Sequence, residues 1–196
     1  GKSGLVSRAY LAGGSALALY YGDRYSIDFD FFSPEVFDPK KLSASLSALG
    51  PFVEEVAKGI SLVGTFRDVK MSYFRYEYPF VGQTTPFLGI DMVSPQDIAA
   101  MKLVAITDRG TRKDYVDIYE LVHHGISLEN MFELYDKKYK LFDANRYTII
   151  KSLTYFDEAD NSDMPTMIRA VTWEEIKRFF VAESMRLAKK YLEETE

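Results

Sequence analysis

The segment that most constrains the fold is a short run, residues 26–32, in which acidic and hydrophobic side chains alternate with a period of two. This alternation predicts a β-strand, because successive side chains of a strand point to opposite faces. Asp28 and Asp30 are expected to share one face, with their backbones about 7 Å apart. The residues assigned to the opposite, core-facing side are Ile27, Phe29 and Phe31. Two carboxylates placed in this way can converge on divalent ions.

A Gly13-Gly14-Ser15 turn precedes this strand, and the run of helix formers at residues 16–21 predicts a short helix between the two. Glycines let the backbone approach a triphosphate, and the N–H groups at the start of the helix favour phosphate. Ser15 adds a hydroxyl donor. A Gly-Gly-Ser alone is usually a turn, and an Asp-x-Asp alone is usually a pair of solvated acids. Their combination favours nucleotidyl transfer, which needs held phosphates and divalent cations.

The rest of the chain divides into a strand-rich first half and a helical second half. Strands are predicted at residues 52–56, 61–66 and 69–77, with Arg67-Asp68 as a hairpin turn. Helices are predicted from Asp38-Pro39, over residues 96–107 and 113–123, from Ser127, and from the capping box at residues 172–175 to about residue 192. This order predicts an α+β fold.

Composition excludes several classes of protein. The chain has no cysteine, which excludes disulfides and thiolate chemistry and fits a cytoplasmic protein. We find no apolar run long enough to span a bilayer and no signal peptide, so no membrane partner is expected. The net charge of -5 argues against bulk attraction to nucleic acid, although residues 109–113 are a candidate local basic patch.

Two segments resemble a known family. Residues 11–32 read L-A-G-G-S-A-L-A-L-Y-Y-G-D-R-Y-S-I-D-F-D-F-F and resemble the opening motif of the AbiEii/AbiGii toxin family of nucleotidyltransferases, within the DNA polymerase β-like superfamily. Residues 97–121 resemble that family's lysine-containing helix and its R-G-x-x-K-D-x-x-D-x-Y motif. A weaker match covers residues 152–160 and the W-E-E-I-K run from Trp173, so the resemblance spans nearly the whole chain.

The resemblance implies a polymerase β-like core, a mixed sheet flanked by helices, over residues 1–125, with a helical C-terminal region over residues 126–196. It also implies roles for individual side chains. Gly13, Gly14 and Ser15 would hold the nucleotide phosphates, and Asp28 and Asp30 would hold Mg²⁺ or Mn²⁺. Lys102 would contact the nucleotide or pair with an acid. The charged second motif would comprise Arg109, Lys113, Asp114 and Asp117. Catalytic roles are expected for Asp28, Asp30, Lys102 and Asp114, and nucleotide contacts for Arg24, Lys102 and Arg109.

Structural roles compete with some of these assignments. Arg24 is equally well explained as a turn arginine, Asp114 as a helix cap, and Asp117 as an anchor for Arg109 or Arg112. Asp97 is interpreted as a capping acid. The pair His123-His124, at a helix end, lacks the spacing and the company of a metal site.

The chain departs from the family pattern in two places. The third carboxylate of polymerase β-like enzymes is expected near Ser72, which cannot act as a base. Asp91, Asp68 or an acid of the second motif are the alternatives. Only a few residues precede the first strand, where the family commonly has a helix, and we expect the chain to begin inside a longer natural protein.

The predicted function is Mg²⁺-dependent transfer of a nucleoside monophosphate from an NTP to a hydroxyl. The family implies a toxin of a type IV toxin–antitoxin or abortive-infection system. The acceptor would be the 3′ end of tRNA or a protein, and the cognate antitoxin would be a separate protein. The alternatives are a catalytically silent domain that binds a nucleotide or a partner, and a kinase-like transfer of the γ-phosphate.

Overall fold

The structure is a computed structural model that describes residues 9–140 and 144–192. Its strands are β1 (Tyr10–Ala12), β2 (Phe29–Ser33), β3 (Phe52–Lys58), β4 (Ser61–Phe66), β5 (Val69–Arg75), β6 (Thr85–Phe87) and β7 (Ile90–Met92). Its helices are α1 (Gly13–Tyr21), α2 (Pro39–Leu49), α3 (Pro95–Asp108), α4 (Arg112–His123), α5 (Leu128–Tyr139), α6 (Ala144–Ser152), α7 (Asp157–Asp160) and α8 (Trp173–Leu192). The α+β class is confirmed.

The chain forms two compact units, and the first comprises residues 1–21 and 26–94. Its described part is a mixed seven-stranded sheet in the order β3-β4-β5-β2-β1-β7-β6, with α1 and α2 packed on strands. Strands β1 and β7 are parallel, as are β2 and β5, whereas the remaining neighbours are antiparallel. The sheet thus carries β2, the strand of the two aspartates, in a central position.

The three predicted middle strands are confirmed, as β3, β4 and β5. Arg67 and Asp68 both have positive φ, 48° and 67°, as a tight hairpin turn between strands requires. Helix α2 starts as predicted: the Asp38 side chain accepts hydrogen bonds from the backbone N–H groups of Lys40 and Lys41. The β6–β7 hairpin was not predicted, because each of its strands has only three residues and so carries almost no periodicity.

The predicted core face of the aspartate strand is only partly correct. Phe31 packs against the core cluster of Leu62, Met71 and Tyr73. Ile27, however, is 79% exposed and Phe29 is 37% exposed. The cause is the later start of the strand, at Phe29 rather than Ser26. Ile27 and Asp28 precede the sheet, so the alternation does not place Ile27 against the core.

The second unit comprises residues 22–25 and 95–196, and its described part is built from α3 to α8. Residues 22–25 join it through an isolated β-bridge from Arg24 to Met167. Three predicted helices are confirmed as α3, α4 and α5, and Ser127 caps α5 as expected. The capping box at Thr172 and Glu175 opens α8. Helix α6 was not predicted.

Asp97, predicted to cap α3, also makes a contact that was not predicted. The residue does lie in the first turn of α3, but its carboxylate forms an ion pair with Lys138 at 2.7 Å, and both side chains are buried. A buried carboxylate requires a charge partner of this kind, since desolvation strongly disfavours an isolated ion. The partner comes from α5, and its contact with Asp97 was not visible in the sequence.

The boundary between the two units lies at residues 94/95. Helices α3 and α4 therefore belong to the second unit, although the predicted core over residues 1–125 included them. The domain division itself stays a prediction. The prediction that the chain begins inside a longer natural protein concerns residues 1–8, which lie outside the described residues. No helix within residues 9–140 and 144–192 has both the length and the apolar character of a membrane span.

Candidate functional site

The glycine turn and the second aspartate are in contact. Strands β1 and β2 pair so that Ala12 lies opposite Asp30, which brings Gly13, the next residue, beside the Asp30 carboxylate. Gly13 has φ of +67°, and a Cβ at this position would lie 2.8 Å from Asp30 Oδ2. Only glycine combines this backbone conformation with so close an approach. The glycine turn and the Asp30 carboxylate therefore lie side by side.

Ser15 connects the start of α1 to the backbone at Asp28. The Ser15 hydroxyl donates to the Asp28 carbonyl, and its oxygen lies 3.0 Å from the Ser26 hydroxyl. Ser15 itself is only 5% exposed, whereas Asp28 and Asp30 are partly buried and accessible at one side. In this structure Ser15 thus holds the segment that carries Asp28.

Ser72 lies on β5 directly opposite Asp30, and its hydroxyl donates a hydrogen bond to Asp30 Oδ1. It therefore occupies the place beside Asp30 at which a third carboxylate was expected. Asp91 is level with Phe32 across two strand spacings, so its Cα lies about 12 Å from that of Asp30. Asp68 lies in the β4–β5 turn, away from Asp30. Neither acid is beside Asp30.

We expect Gly13→Ala to reduce nucleotidyl transfer about a hundredfold, because the added methyl group displaces the Asp30 carboxylate and small misplacements of catalytic groups are this costly. The measurement is the initial rate of label transfer from an α-³²P-NTP. Gly59→Ala is the matched control: Gly59 also has positive φ, +60°, but a Cβ there meets no described atom within 4 Å. Equal rate losses in both variants would contradict the steric argument.

In the second unit, Lys102 lies inside a buried network of charges. Its Nζ is 2.9 Å from Asp114 Oδ1 and 2.6 Å from Asp117 Oδ2, and the Lys102 side chain is 7% exposed. The expected pairing of Lys102 with an acid is thus seen, with two acids of the second motif. Asp114 and Asp117 can both reach Lys102 because residues three apart are neighbours on one helix face.

Arg24 joins the same network. Its Nε and Nη2 donate to the two oxygens of Asp117 at 2.6 and 2.9 Å, and its Nη1 donates to the Tyr25 carbonyl. The forked guanidinium matches a carboxylate in this bidentate geometry. Arg24 is 6% exposed. Asp117 is indeed an anchor for an arginine, but the arginine is Arg24, which comes from a segment about ninety residues earlier.

Asp114 serves as a helix cap and as an ion-pair partner together. It accepts from the backbone N–H and the hydroxyl of Thr111, which completes a capping box at the start of α4. Arg109 donates to both of its oxygens, at 3.0 and 3.1 Å. The Arg109 side chain is 64% exposed, so this cation of the network also reaches solvent.

The charges of the network keep its members ionised despite their burial. Burial works against ionisation of Asp114, but Lys102 and Arg109 outweigh it and hold the pKa of Asp114 well below its usual range. Burial likewise opposes ionisation of Asp117, and Lys102 and Arg24 lower its pKa. For Lys102, burial is outweighed by Asp117 and Asp114, which raise its pKa. The network therefore contains three cations, Arg109, Lys102 and Arg24, and each neighbouring two of them share one carboxylate, Asp114 or Asp117.

A second cluster of charged side chains in the same unit was not predicted from the sequence, in which the His123-His124 pair was interpreted as lacking the company of a metal site. His124 Nε2 lies 2.8 Å from Asp23 Oδ2, and Arg169 Nη2 lies 3.0 Å from Asp23 Oδ1. Glu120 belongs to the same cluster: a carboxylate oxygen of Asp23, a carboxylate oxygen of Glu120 and a ring nitrogen of His124 all lie within 4.8 Å of one another. The available signal was the spacing of Glu120 and His124, four residues apart on a helix. Asp23 is 101 residues away from His124 in sequence, so only folding reveals the group.

Comparisons with known proteins agree with these observations. The model of the family described as "Nucleotidyl transferase AbiEii toxin, Type IV TA system" matches residues 1–86 and 60–193. The uncharacterized protein aq_aa25 of Aquifex aeolicus (strain VF5) is 37% identical over 195 residues, covering 97% of this chain and 91% of that protein.

Two solved structures share the fold. JHP933 from Helicobacter pylori has a TM-score of 0.56 at 18% identity, covering 97% of this chain and 89% of that one. The nucleotidyltransferase toxin MenT4 (Rv2826c) from Mycobacterium tuberculosis H37Rv has a TM-score of 0.53 at 14% identity, covering 93% and 79%. With the family match over most of the chain and a relative above one-third identity, the protein belongs to the AbiEii family of nucleotidyltransferase toxins of type IV toxin–antitoxin systems.

Proposed function

We propose that this chain transfers a nucleoside monophosphate from an NTP to a hydroxyl group, with Mg²⁺ or Mn²⁺ held by Asp28 and Asp30. In the reaction the acceptor oxygen bonds to the α-phosphorus while the bond to the leaving pyrophosphate breaks. The observation that carries the proposal is the contact between the Gly13 turn and the Asp30 carboxylate. It puts the start of a helix, which favours phosphate, beside an acid that suits a hard cation.

The residues present fit a divalent ion of this type. Asp28 and Asp30 offer oxygen ligands only, they are partly accessible, and Mg²⁺ takes one or two carboxylates together with phosphate oxygens and waters. When bound, the ion would neutralise charge on the phosphates during transfer. Ser72 orients Asp30 by donating to one of its oxygens, and Ser15 orients Asp28 through its carbonyl.

The backbone around Gly13 and Gly14 would receive the phosphates. Gly13 and Gly14 are the first two residues of α1, so their N–H groups are among those that a helix leaves without partners inside itself. Ser15 is the third such residue. A triphosphate bound here would be held mainly by backbone N–H groups, which is a contact that depends on glycine rather than on a particular side chain.

The second motif is proposed to act through charge. Arg109 has an exposed side chain and also takes part in the buried network through Asp114, and we assign it to contact the nucleotide. Lys102 and Asp114 keep the catalytic roles that the family resemblance implies, and Arg24 keeps its nucleotide contact. Their burial and mutual ion pairs also give them a structural function, so both kinds of effect are expected when they are replaced.

The acceptor is proposed to be an RNA hydroxyl, the 3′ end of tRNA, with a protein hydroxyl as the alternative. The family supplies the support for a cognate antitoxin as partner. A cytoplasmic site of action is part of the same proposal, since both NTP and tRNA are found there.

The test is incubation of the protein with each α-³²P-NTP, Mg²⁺ and total tRNA, with Asp28→Ala beside it. Label that enters RNA with the wild type and not with the variant would support the proposal and identify the base. Label in protein instead of RNA would revise the acceptor. Release of ADP from ATP without pyrophosphate would show γ-phosphate transfer and contradict nucleotidyl transfer.

A catalytically silent, nucleotide-binding domain is the second candidate function. The observation in its favour is Ser72, a hydroxyl at the place beside Asp30 where polymerase β-like enzymes carry a third acid. Under this alternative, NTP binds with micromolar or tighter affinity, but no label enters RNA or protein under any metal condition. Nucleotide binding measured by calorimetry together with the label assay separates the two functions.

A further inference from the structure

The second unit contains a group of metal-ligating side chains that nucleotidyl transfer does not use. Glu120 lies in the last turn of α4, and His124 is the residue that caps this helix, with its backbone N–H bonded to the Glu120 carbonyl. Asp23 comes from residues 22–25, far away in sequence. Ligand atoms of the three side chains lie within 4.8 Å of one another.

Asp23 is held in place by its own backbone and by Arg169. Its carbonyl accepts a hydrogen bond from the Ile168 N–H at 2.8 Å, and the neighbouring Tyr25 N–H donates to the Thr166 carbonyl at 2.9 Å. Arg169 engages Asp23 Oδ1, which leaves Oδ2 directed at His124. The first ligand oxygen is therefore oriented before any ion arrives, as in sites with a fixed outer shell.

Glu120 is the observation that points to a ligand. The residue is 5% exposed, yet its carboxylate accepts no hydrogen bond and forms no ion pair within residues 9–140 and 144–192. Arg169 already contributes a positive charge here through its bond to Asp23 Oδ1, and a carboxylate buried beside a second carboxylate and a histidine is a favourable position for a further cation.

We propose that Asp23, Glu120 and His124 bind a divalent transition-metal ion, with Zn²⁺ as the reference ion. Two carboxylate oxygens and one imidazole nitrogen match the mixed oxygen and nitrogen sites of Zn²⁺, whereas Mg²⁺ and Ca²⁺ prefer oxygen alone. Three protein ligands leave the fourth position to water, and His124, 25% exposed, provides the side from which water and ion enter.

The geometry needs only a small adjustment. Ligand atoms of a tetrahedral site with bonds of about 2.0 Å lie about 3.3 Å apart. His124 Nε2 and Asp23 Oδ2 are 2.8 Å apart, so they separate by about 0.5 Å as the ion enters, while Glu120 moves closer. The ion would join residues 22–25 to the end of α4. The site therefore differs in place and in ligand type from Asp28 and Asp30.

The test uses the full chain freed of metal with a chelator, titrated with Zn²⁺ by calorimetry and with Co²⁺ by visible absorption. One Zn²⁺ is expected to bind per chain, and Co²⁺ is expected to show the intense bands of tetrahedral coordination. Glu120→Gln and His124→Gln are each expected to weaken binding at least about tenfold, since even outer-shell replacements have effects of this size. Glu120→Gln keeps the shape of the side chain, so it is expected to leave the metal-free fold intact.

Two control variants make the result specific. His123→Gln changes the neighbouring histidine, whose ring packs on Tyr119 and whose Nδ1 lies at the Tyr119 carbonyl, and it is expected to leave Zn²⁺ binding unchanged. Asp30→Asn removes an acid of the candidate catalytic site and is also expected to have no effect. Absence of Zn²⁺ binding, or equal affinity in the wild type and in both ligand variants, would overturn the proposal.

Discussion

Asp30→Asn is expected to lower the rate of nucleotidyl transfer at least about a thousandfold while the protein stays folded. The carboxylate lies in contact with the Gly13 turn, where it can hold a cation against the bound phosphates. Charge stabilisation by a bound metal ion contributes several kcal/mol to such reactions, and about 4 kcal/mol corresponds to a thousandfold in rate. Asparagine has the same shape and can still accept the hydrogen bond from Ser72, so the loss is attributed to charge.

The measurement is the initial rate of label transfer at saturating Mg²⁺, with the thermal midpoint recorded in parallel. Asp91→Asn is the matched control, because Asp91 is an exposed acid of the same sheet that lies away from Asp30. We expect its rate to stay within about twofold of the wild type, as for surface changes remote from a site. Similar losses in both variants, or full activity in Asp30→Asn, would remove Asp30 from the catalytic site.

Asp117→Ala is expected to lower the free energy of unfolding by about 3–5 kcal/mol, the cost of removing one partner from a buried ion pair. Asp117 neutralises both Arg24 and Lys102, and all three side chains are at most 7% exposed. Lys102 retains Asp114, but Arg24 loses its two hydrogen bonds to the Asp117 carboxylate. Urea unfolding at neutral pH measures the loss. Asp136→Ala, which removes a half-buried pair with Arg146, serves as control, with an expected loss of about 1 kcal/mol or less.

The same network predicts an acid dependence of stability. The pKa values of Asp114 and Asp117 are lowered in the folded state, so the unfolded chain binds protons first as the pH falls. The contribution of these two residues is complete above the usual aspartate pKa of about 4 and declines below it. The difference in stability between wild type and Asp117→Ala is therefore expected to be constant from about pH 7 to 5 and to shrink under stronger acid. A difference that persists unchanged at pH 2 would contradict the assignment to charge.

Local sequence patterns predicted much of the secondary structure, because helix starts and turns depend on residues that are close together in the chain. Asp38-Pro39 starts α2 since an aspartate cap and a first-turn proline act within one helical turn. Arg67-Asp68 was predicted as the hairpin turn because a strand-like pattern ends just before it and another begins just after it. The three-residue strands β6 and β7 were missed since their stability comes from pairing within the sheet, which has no local signature.

The candidate site likewise has residues that were predicted from the sequence and contacts that depend on how the strands pair. Gly13, Asp28 and Asp30 were assigned from spacing, because a turn, a short helix and a strand leave few alternative arrangements. The exposure of Ile27 was not foreseen, since it depends on where β2 begins to pair with β1 and β5. Ser72 was identified as a departure from the family, and its hydrogen bond to Asp30 required the register of parallel strands.

The sequence by itself determined the α+β class, the Gly13 turn and the two acids of β2, and its resemblance to a family indicated the charged motif from Arg109 to Asp117. These are features whose residues lie within one or two adjacent elements. The tertiary structure alone decided which charges meet: Arg24 with Asp117, Lys138 with Asp97, and Asp23 with His124 and Glu120. The physical reason is that a buried charge is stabilised only by a partner in direct contact, and contact between distant segments is a product of packing rather than of spacing along the chain.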